Sequence, residues 1–112
     1  MQFPKDIEAE IYYLTTEEGG RKGFVASGYR GQFYYDGNDW DAPQTFIDVE
    51  KVLPGETVKA YLGFLSPKEH FGKIYEGMSF EVREGARTVA KGIVIKIIDL
   101  EQSAKIAESK AT

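Results

Sequence analysis

The sequence predicts an all-β protein and, more specifically, a single six-stranded antiparallel β-barrel that closes on itself. Three observations lead to this prediction. Apolar residues recur at every second position in several segments, turns rich in glycine or proline separate these segments, and only the C-terminal tail has the composition of a helix. A sheet this small avoids exposed edges best by closing. We expect one domain over residues 1–112, with a barrel core from about residue 5 to residue 100.

The first strand is predicted from Ile7 to Thr15. Its apolar members share one face at period two: Ile7, Ala9, Ile11 and Tyr13. Glycines at positions 19, 20, 23, 28 and 31 then predict a long structured loop, because glycine readily adopts positive φ. The β pattern resumes over Gln32 to Asp36, where at least one aromatic side chain must point inward, and "DGND" predicts the turn that follows.

The second half of the chain continues the pattern. A short strand is predicted from Thr45 to Val49, and a Pro-Gly turn at positions 54 and 55 precedes a longer one. That strand places alternate residues on one face: Val58, Ala60, Leu62 and Phe64. The segment "GMSFEVREGARTVAKGIVIKIIDL" predicts a hairpin that bends at "REGAR". The tail from Glu101 to Thr112 has too few apolar residues to pack, so we expect it to be helical or frayed.

Composition limits the function classes. The formal net charge of −4 predicts weak affinity for tRNA or any other nucleic acid, because a phosphate backbone is bound through positive charge. Without cysteine the chain has no disulfide, thiolate metal site or thiol nucleophile. No apolar run reaches the roughly 18 residues of a membrane span, and the N-terminus lacks a secretory signal. We therefore expect a cytoplasmic protein that does not bind membranes.

No motif indicates an enzyme, a metal site or a cofactor. His70 lies in the polar insertion "SPKEHFGKIY" with no nucleophile or metal-ligand spacing near it, so we predict an exposed loop residue without a role. The three aspartates of "DGNDWD" lack the spacing of a calcium loop and are interpreted as turn residues. Neither a phosphate-binding loop nor another nucleotide signature occurs, so we expect no nucleotide partner. Trp40 has two interpretations, a cap on the open end of the barrel, which we favour, or an exposed anchor for a partner.

Two segments resemble a known family. The segments "EGGRKGFVASGYRGQFYYDG" and "FEVREGARTVAKGIVIKII" are similar to the "GGR…GYRPQFYF" and "FAIREGGRTVGAGVV" segments of the third, C-terminal β-barrel domain of bacterial elongation factor Tu. The element "KVLPGET" at residues 51–57 matches a "MVMPGDN"-like element between them. The likeness covers roughly Ile7 to Ile98 in the same order, and we expect no counterpart of the factor's GTPase domain.

This resemblance implies a barrel that contacts tRNA and protein partners. Residues at which the motifs match the tRNA contacts of the family are Arg21, Gln32, Glu84 and Gly85. Two other contacts of the family are lost, because "DGNDWDAP" replaces a threonine-containing stretch and Ser66 replaces a lysine. The shared residues also have a purely structural interpretation, in which Arg30, Arg83 and Arg87 only pair with acidic neighbours at the turns.

Two functions follow as hypotheses. The first is a non-enzymatic, translation-related binding module that uses an RNA or protein surface at Arg21, Arg30, Gln32, Glu84 and Gly85. The second is a regulator, decoy or immunity-type protein that keeps the barrel without tRNA binding and holds a protein partner through its divergent segments, at Trp40 and Phe71.

Overall fold

The computed structural model describes residues 3–110, and within them the chain is mostly β structure, which confirms the predicted class. A 3₁₀ turn spans Pro67–Glu69 and a helix, α1, spans Leu100–Lys110. The strands are β1 Ile7–Tyr13, β2 Val25–Ala26, β3 Gln32–Tyr35, β4 Asn38–Asp41, β5 Gln44–Phe46, β6 Lys51–Val52, β7 Thr57–Leu62, β8 Ser79–Glu84 and β9 Arg87–Ile97.

Seven of these strands form one antiparallel sheet in the order β4-β3-β8-β9-β1-β7-β5, and β2 pairs with β6 separately. The long strand β9 pairs with β8 on one side and with β1 on the other. Side chains alternate between the buried and the outer face, as predicted: β1 buries Ile7, Ala9, Ile11 and Tyr13. The sheet curls so that these apolar side chains face one another in its concave interior.

The prediction of a closed six-stranded barrel is wrong, because the curled sheet is a half-barrel with two edges, β4 and β5. These two strands follow one another in the chain with only Ala42 and Pro43 between them, so they lie end to end and do not pair. Two backbone hydrogen bonds of 3.3 Å cross the remaining gap, from the Leu65 amide to Asp41 and from the Gly63 amide to Pro43. Pro43 has no amide hydrogen with which to continue a ladder.

The core is centred on Phe33, which is 1% exposed and satisfies the prediction that at least one aromatic residue of β3 points inward. Its ring stacks on Phe80 at a centroid distance of 4.2 Å and meets Phe64 edge-on at 5.0 Å. Gly92 on β9 provides the space for this stack, since a Cβ atom there would lie 2.3 Å from the Phe80 ring. Apolar residues from four distant parts of the chain therefore share one interior.

Two predicted turns are confirmed by the backbone. Asp36 and Gly37 have φ values of 50° and 81° between β3 and β4, the conformation that a two-residue hairpin loop of type I′ requires. The "REGAR" bend joins β8 to β9 through Gly85 and Ala86, and Gly85 adopts a φ of 61°. Glu84 and Arg87 face each other as the last pair of the ladder.

The C-terminal tail is a docked helix, contrary to the expectation that it lacks the apolar content to pack. Leu100 is fully buried, and α1 lies against the 3₁₀ turn. Ser103 donates a hydrogen bond from Oγ to the buried carboxylate of Asp6, which also accepts one of 2.8 Å from the Phe64 amide. Burial raises the pKa of Asp6 even though both hydrogen bonds oppose the shift. Residues 111–112 of the predicted tail lie outside the described residues.

Candidate functional site

All four arginines of the chain gather at one end of the sheet. Arg83 lies opposite Gln32 in the β3–β8 pairing, and Arg87 lies opposite Glu84 where β8 meets β9. The loop before β3 brings the remaining two arginines to the same place. We call this surface the arginine-rich end, formed by Arg21, Arg30, Gln32, Arg83, Glu84, Gly85 and Arg87. It contains all five residues of the first predicted site, so the fold brings them together at one end.

Glu84 is held by two groups from the loop before β3. The Arg21 guanidinium and the Tyr29 hydroxyl both donate hydrogen bonds to Oε2 of Glu84, and the guanidinium lies 5.4 Å from the centre of the Tyr29 ring. Partial burial would raise the pKa of Glu84, but the hydrogen bonds from Tyr29 and Arg21 outweigh it and hold this pKa below its usual range. Glu84 is therefore an ionised acceptor whose Oε1 has no hydrogen bond within residues 3–110.

Arg83 has a structural role at this end. Its guanidinium lies 4.3 Å from the centre of the Tyr34 ring, donates a 2.9 Å hydrogen bond to the Ala86 carbonyl oxygen and lies 3.9 Å from the Asp39 carboxylate. These contacts tie the β8–β9 turn to the neighbouring β3–β4 hairpin. For Arg83 the structural interpretation of the arginines is therefore correct.

Arg30 and Arg87 differ from the other two arginines. Both are exposed, and neither forms an ion pair with another residue in the described part of the chain. Gln32 lies half-buried next to Arg30, and Gly85 is exposed at the first position of the turn before Arg87. The arginine-rich end thus presents two exposed guanidinium groups that form no ion pair within residues 3–110, beside an amide, a carboxylate and a side-chain-free turn. The charge of Arg87 nevertheless helps to lower the pKa of Glu84.

The second predicted surface contains a buried histidine. The prediction that His70 is exposed is wrong: its side chain is 0% exposed. Trp40 meets its ring edge-on at 4.6 Å, Phe64 packs on it at 4.3 Å, and the Tyr35 hydroxyl lies 2.7 Å from its Nδ1. Burial, assisted by the charge of Lys73, lowers the pKa of His70 to about 4. The polar sequence around His70 does not reveal this burial, because the residues that enclose the ring come from β3, β4 and the segment after β7.

The two residues proposed for partner capture differ in exposure. Trp40 lies half-buried in β4, where it covers His70, whereas Phe71 is 51% exposed immediately after the histidine. No ring contact joins Trp40 to Phe71 among the described residues. Of the two, Phe71 is the more accessible apolar group.

A family comparison gives the relationship of the chain to known proteins. The family model described as "Elongation factor Tu C-terminal domain" matches residues 1–98. The chain belongs to this family. The match includes the whole arginine-rich end, and it confirms the resemblance seen in the "GGR" and "REGAR" motifs. In elongation factor Tu this domain is a non-catalytic binding domain.

Compared with the matched family domain, α1 is additional, since it begins at Leu100, beyond the matched range. Within residues 3–110 there is no helix long and apolar enough to span a membrane, and no group of three His, Asp or Glu side chains arranged to bind a metal ion.

Sequence reasoning missed one residue of the site in this elongation factor Tu-like domain. Tyr29 stands inside the quoted "GYRGQF" motif, yet only the structure shows that its hydroxyl shares Glu84 with Arg21. In the sequence, Tyr29 is distinguished only as the single tyrosine of this motif, one residue before Arg30. A contact across 55 residues of sequence cannot be read from that position alone.

Proposed function

We propose that this chain is a non-enzymatic, translation-related binding module that recognises RNA through the arginine-rich end. The observation that carries the proposal is the pair of exposed guanidinium groups, Arg30 and Arg87, without an ion-pair partner in residues 3–110. A guanidinium group binds phosphate oxygens through two parallel hydrogen bonds. Membership of a translation factor's domain family supports RNA as the ligand.

Three neighbouring groups favour RNA over DNA. The ionised Glu84 carboxylate has a free Oε1 that accepts a hydrogen bond from a ribose 2′-hydroxyl, and the Gln32 amide both donates and accepts. Gly85 has no side chain, so a sugar can approach the backbone of the turn closely. Because Arg21 and Tyr29 fix Glu84, the acceptor is oriented before RNA binds.

The electrostatics predict weak binding that depends strongly on salt. The net charge of −4 repels a phosphate backbone, so the local arginines must overcome an unfavourable overall field. Arg21 adds little to the attraction because Glu84 neutralises it. We therefore expect measurable association with RNA only at low ionic strength.

The test measures fluorescence anisotropy of a labelled tRNA transcript against the protein over a series of salt concentrations. Arg30→Ala and Arg87→Ala should each weaken binding and reduce the slope of log K against log salt by about one. Lys96→Ala is the matched control, since it removes one positive charge at the opposite end of β9. A DNA duplex of the acceptor-stem sequence should bind more weakly than its RNA counterpart. Failure of the unchanged protein to bind RNA at low salt would disprove this function.

A second candidate is the protein-interaction module, acting as a regulator, decoy or immunity-type factor. Phe71 favours it, because an aromatic ring that is 51% exposed beside the Trp40–His70 pair is suited to insertion into a partner's pocket. Capture of one defined partner that is abolished by Phe71→Ala and unaffected by Arg87→Ala would favour this candidate over RNA binding.

A further inference from the structure

A groove on the outer face of the sheet adjoins the arginine-rich end. It has a volume of about 590 Å³, within the roughly 300–1,000 Å³ typical of small-molecule sites, and crosses strands β3, β8, β9 and β1. Tyr12 of β1 stands at one side and Tyr34 of β3 stands at the other, whereas the Tyr35 side chain turns inward to His70. Charged groups also line it. We call it the tyrosine groove, defined by Tyr12, Tyr34, Asp36, Glu81 and Lys91.

The tyrosine groove and the arginine-rich end are continuous. In the β3–β8 pairing Gln32 lies opposite Arg83, and two residues along Tyr34 lies opposite Glu81. Residues two apart on a strand share a face and are separated by roughly 7 Å, so the two pairs form neighbouring rows of one surface. Arg83 of one row contacts Tyr34 of the other, since its guanidinium lies 4.3 Å from the centre of the Tyr34 ring. A strand bound at the arginine-rich end therefore reaches the groove within about two nucleotides.

We propose that the tyrosine groove accepts one unstacked guanine base of an RNA strand whose phosphates lie on the arginine-rich end. This inference rests on the RNA-binding function proposed above. Tyrosine rings supply the stacking surface that single-stranded bases use, and the Arg83 guanidinium beside Tyr34 adds a cation–π contribution. Lys91, opposite both Tyr12 and Glu81 in the strand pairings, supplies a positive charge for the adjoining phosphate.

Glu81 selects the base. Its Oε1 accepts a hydrogen bond from the Thr88 hydroxyl, which orients the carboxylate, and its Oε2 has no hydrogen-bond partner in the described part of the chain. A carboxylate only accepts hydrogen bonds, so it favours a base edge with adjacent donors. Guanine presents N1–H and the N2 amino group side by side. Uracil presents two carbonyl oxygens around one N–H, and adenine and cytosine each present an acceptor next to their amino group.

The first experiment titrates the protein with GMP and, separately, with UMP while the backbone amides of Lys91, Gly92 and Ile93 are followed by NMR. GMP should shift these amides, and UMP should need at least about ten-fold higher concentration for the same shift. Glu81→Gln should remove the difference between the two nucleotides. Because a mononucleotide does not need the arginine-rich end, this experiment tests the groove independently of RNA binding.

The second experiment compares a labelled uridine octanucleotide with the same strand carrying one central guanosine. Tyr34→Ala should weaken binding of the guanosine strand by about five-fold or more, and Tyr34→Phe, which keeps the ring, should preserve it. Tyr75→Ala is the control, since Tyr75 is a 62% exposed tyrosine outside the groove. The thermal unfolding midpoint of each variant identifies any loss of folding.

The outcomes separate the two proposals. If RNA binds but Tyr34→Ala changes nothing and GMP shifts no groove amide, the groove inference is wrong and the proposed function stands. If GMP shifts the groove amides while the unchanged protein binds no RNA, the groove recognises the base and the RNA-binding function is wrong. If neither ligand binds, both proposals are wrong.

Discussion

The hydroxyl group of Tyr35 lies 2.7 Å from Nδ1 of His70, in the interior formed where the 3₁₀ turn meets strands β3 and β4. Nε2 of the same ring is buried without a hydrogen-bond partner among the described residues. Burial of this imidazole disfavours its charged form relative to the neutral form. This relationship makes the stability of the protein depend on pH.

Stability should fall as the pH drops from 6.5 to 4. The pKa of His70 is about 4 in the folded protein and 6.5 once the chain unfolds, so the unfolded chain binds more protons over this window. The stabilising contribution is complete above the unfolded pKa and should decrease by roughly 3 kcal/mol across the window. Urea denaturation at several pH values measures it. His70→Phe, which has no titrating group, should remove most of this slope; an unchanged slope would contradict the assignment.

Gly92→Ala should destabilise the protein by about 2 kcal/mol or more, because the added methyl group would lie 2.3 Å from the Phe80 ring and would disturb its stack on Phe33. Gly23→Ala is the matched control, since nothing lies within 4 Å of a Cβ atom at that exposed position. Chemical denaturation of both variants tests the prediction. Equal stability of the two would show that the Phe33–Phe80 stack tolerates a methyl group.

Removing either partner of Glu84 should raise the pKa of its carboxyl group. Tyr29→Phe deletes one hydrogen bond to Oε2, and Arg21→Ala deletes the other together with the nearby positive charge. Both contacts lower the pKa in the intact protein, so their loss should move it upward. Carbon-detected NMR titration of Glu84 gives the value directly. Arg30→Ala should leave it unchanged, and an equal shift in that variant would mean that overall charge, rather than contact, sets the pKa.

Ser103→Ala should loosen α1 and destabilise the protein by about 1–2 kcal/mol, because a buried Asp6 oxygen loses its hydrogen bond. Gln102→Ala, at an exposed neighbouring position of the same helix, should have little effect. Hydrogen exchange of the α1 amides is the local measurement, and it should accelerate in Ser103→Ala alone. Unchanged exchange would show that Leu100 is sufficient to hold the helix.

Six of the nine strands were predictable to within a few residues, and so were their inner faces. The short strands β2 and β6 were not predicted, and β4 was predicted as turn residues. Ile7, Ala9, Ile11 and Tyr13 are buried as their spacing predicts, because alternation follows from the geometry of a single strand. The β8–β9 hairpin was predictable for a similar reason, since Gly85 meets the local demand for a positive φ. The family was recognisable because its motifs occupy these same strands and turns.

The candidate site was only partly predictable. The resemblance indicated Arg21, Gln32, Glu84 and Gly85, but it did not show that Arg21 forms an ion pair with Glu84 while Arg87 forms none within residues 3–110. Whether an arginine forms an ion pair depends on residues that another hairpin brings close to it. The tyrosine groove was not predicted at all, because its walls come from β1 and β3, which pair with neither each other nor the same strand.

Local alternation, turn chemistry and family motifs thus follow from the order of residues, since each depends on the backbone of a few consecutive positions. The gap between β4 and β5, the burial of His70 and the docking of α1 depend on the path of the whole chain. The hydrogen bond from Ser103 to Asp6 joins residues 97 positions apart, and the polar segment around His70 is enclosed by aromatic rings from other strands. Such contacts form only when the curled sheet brings distant segments together, so no local pattern specifies them.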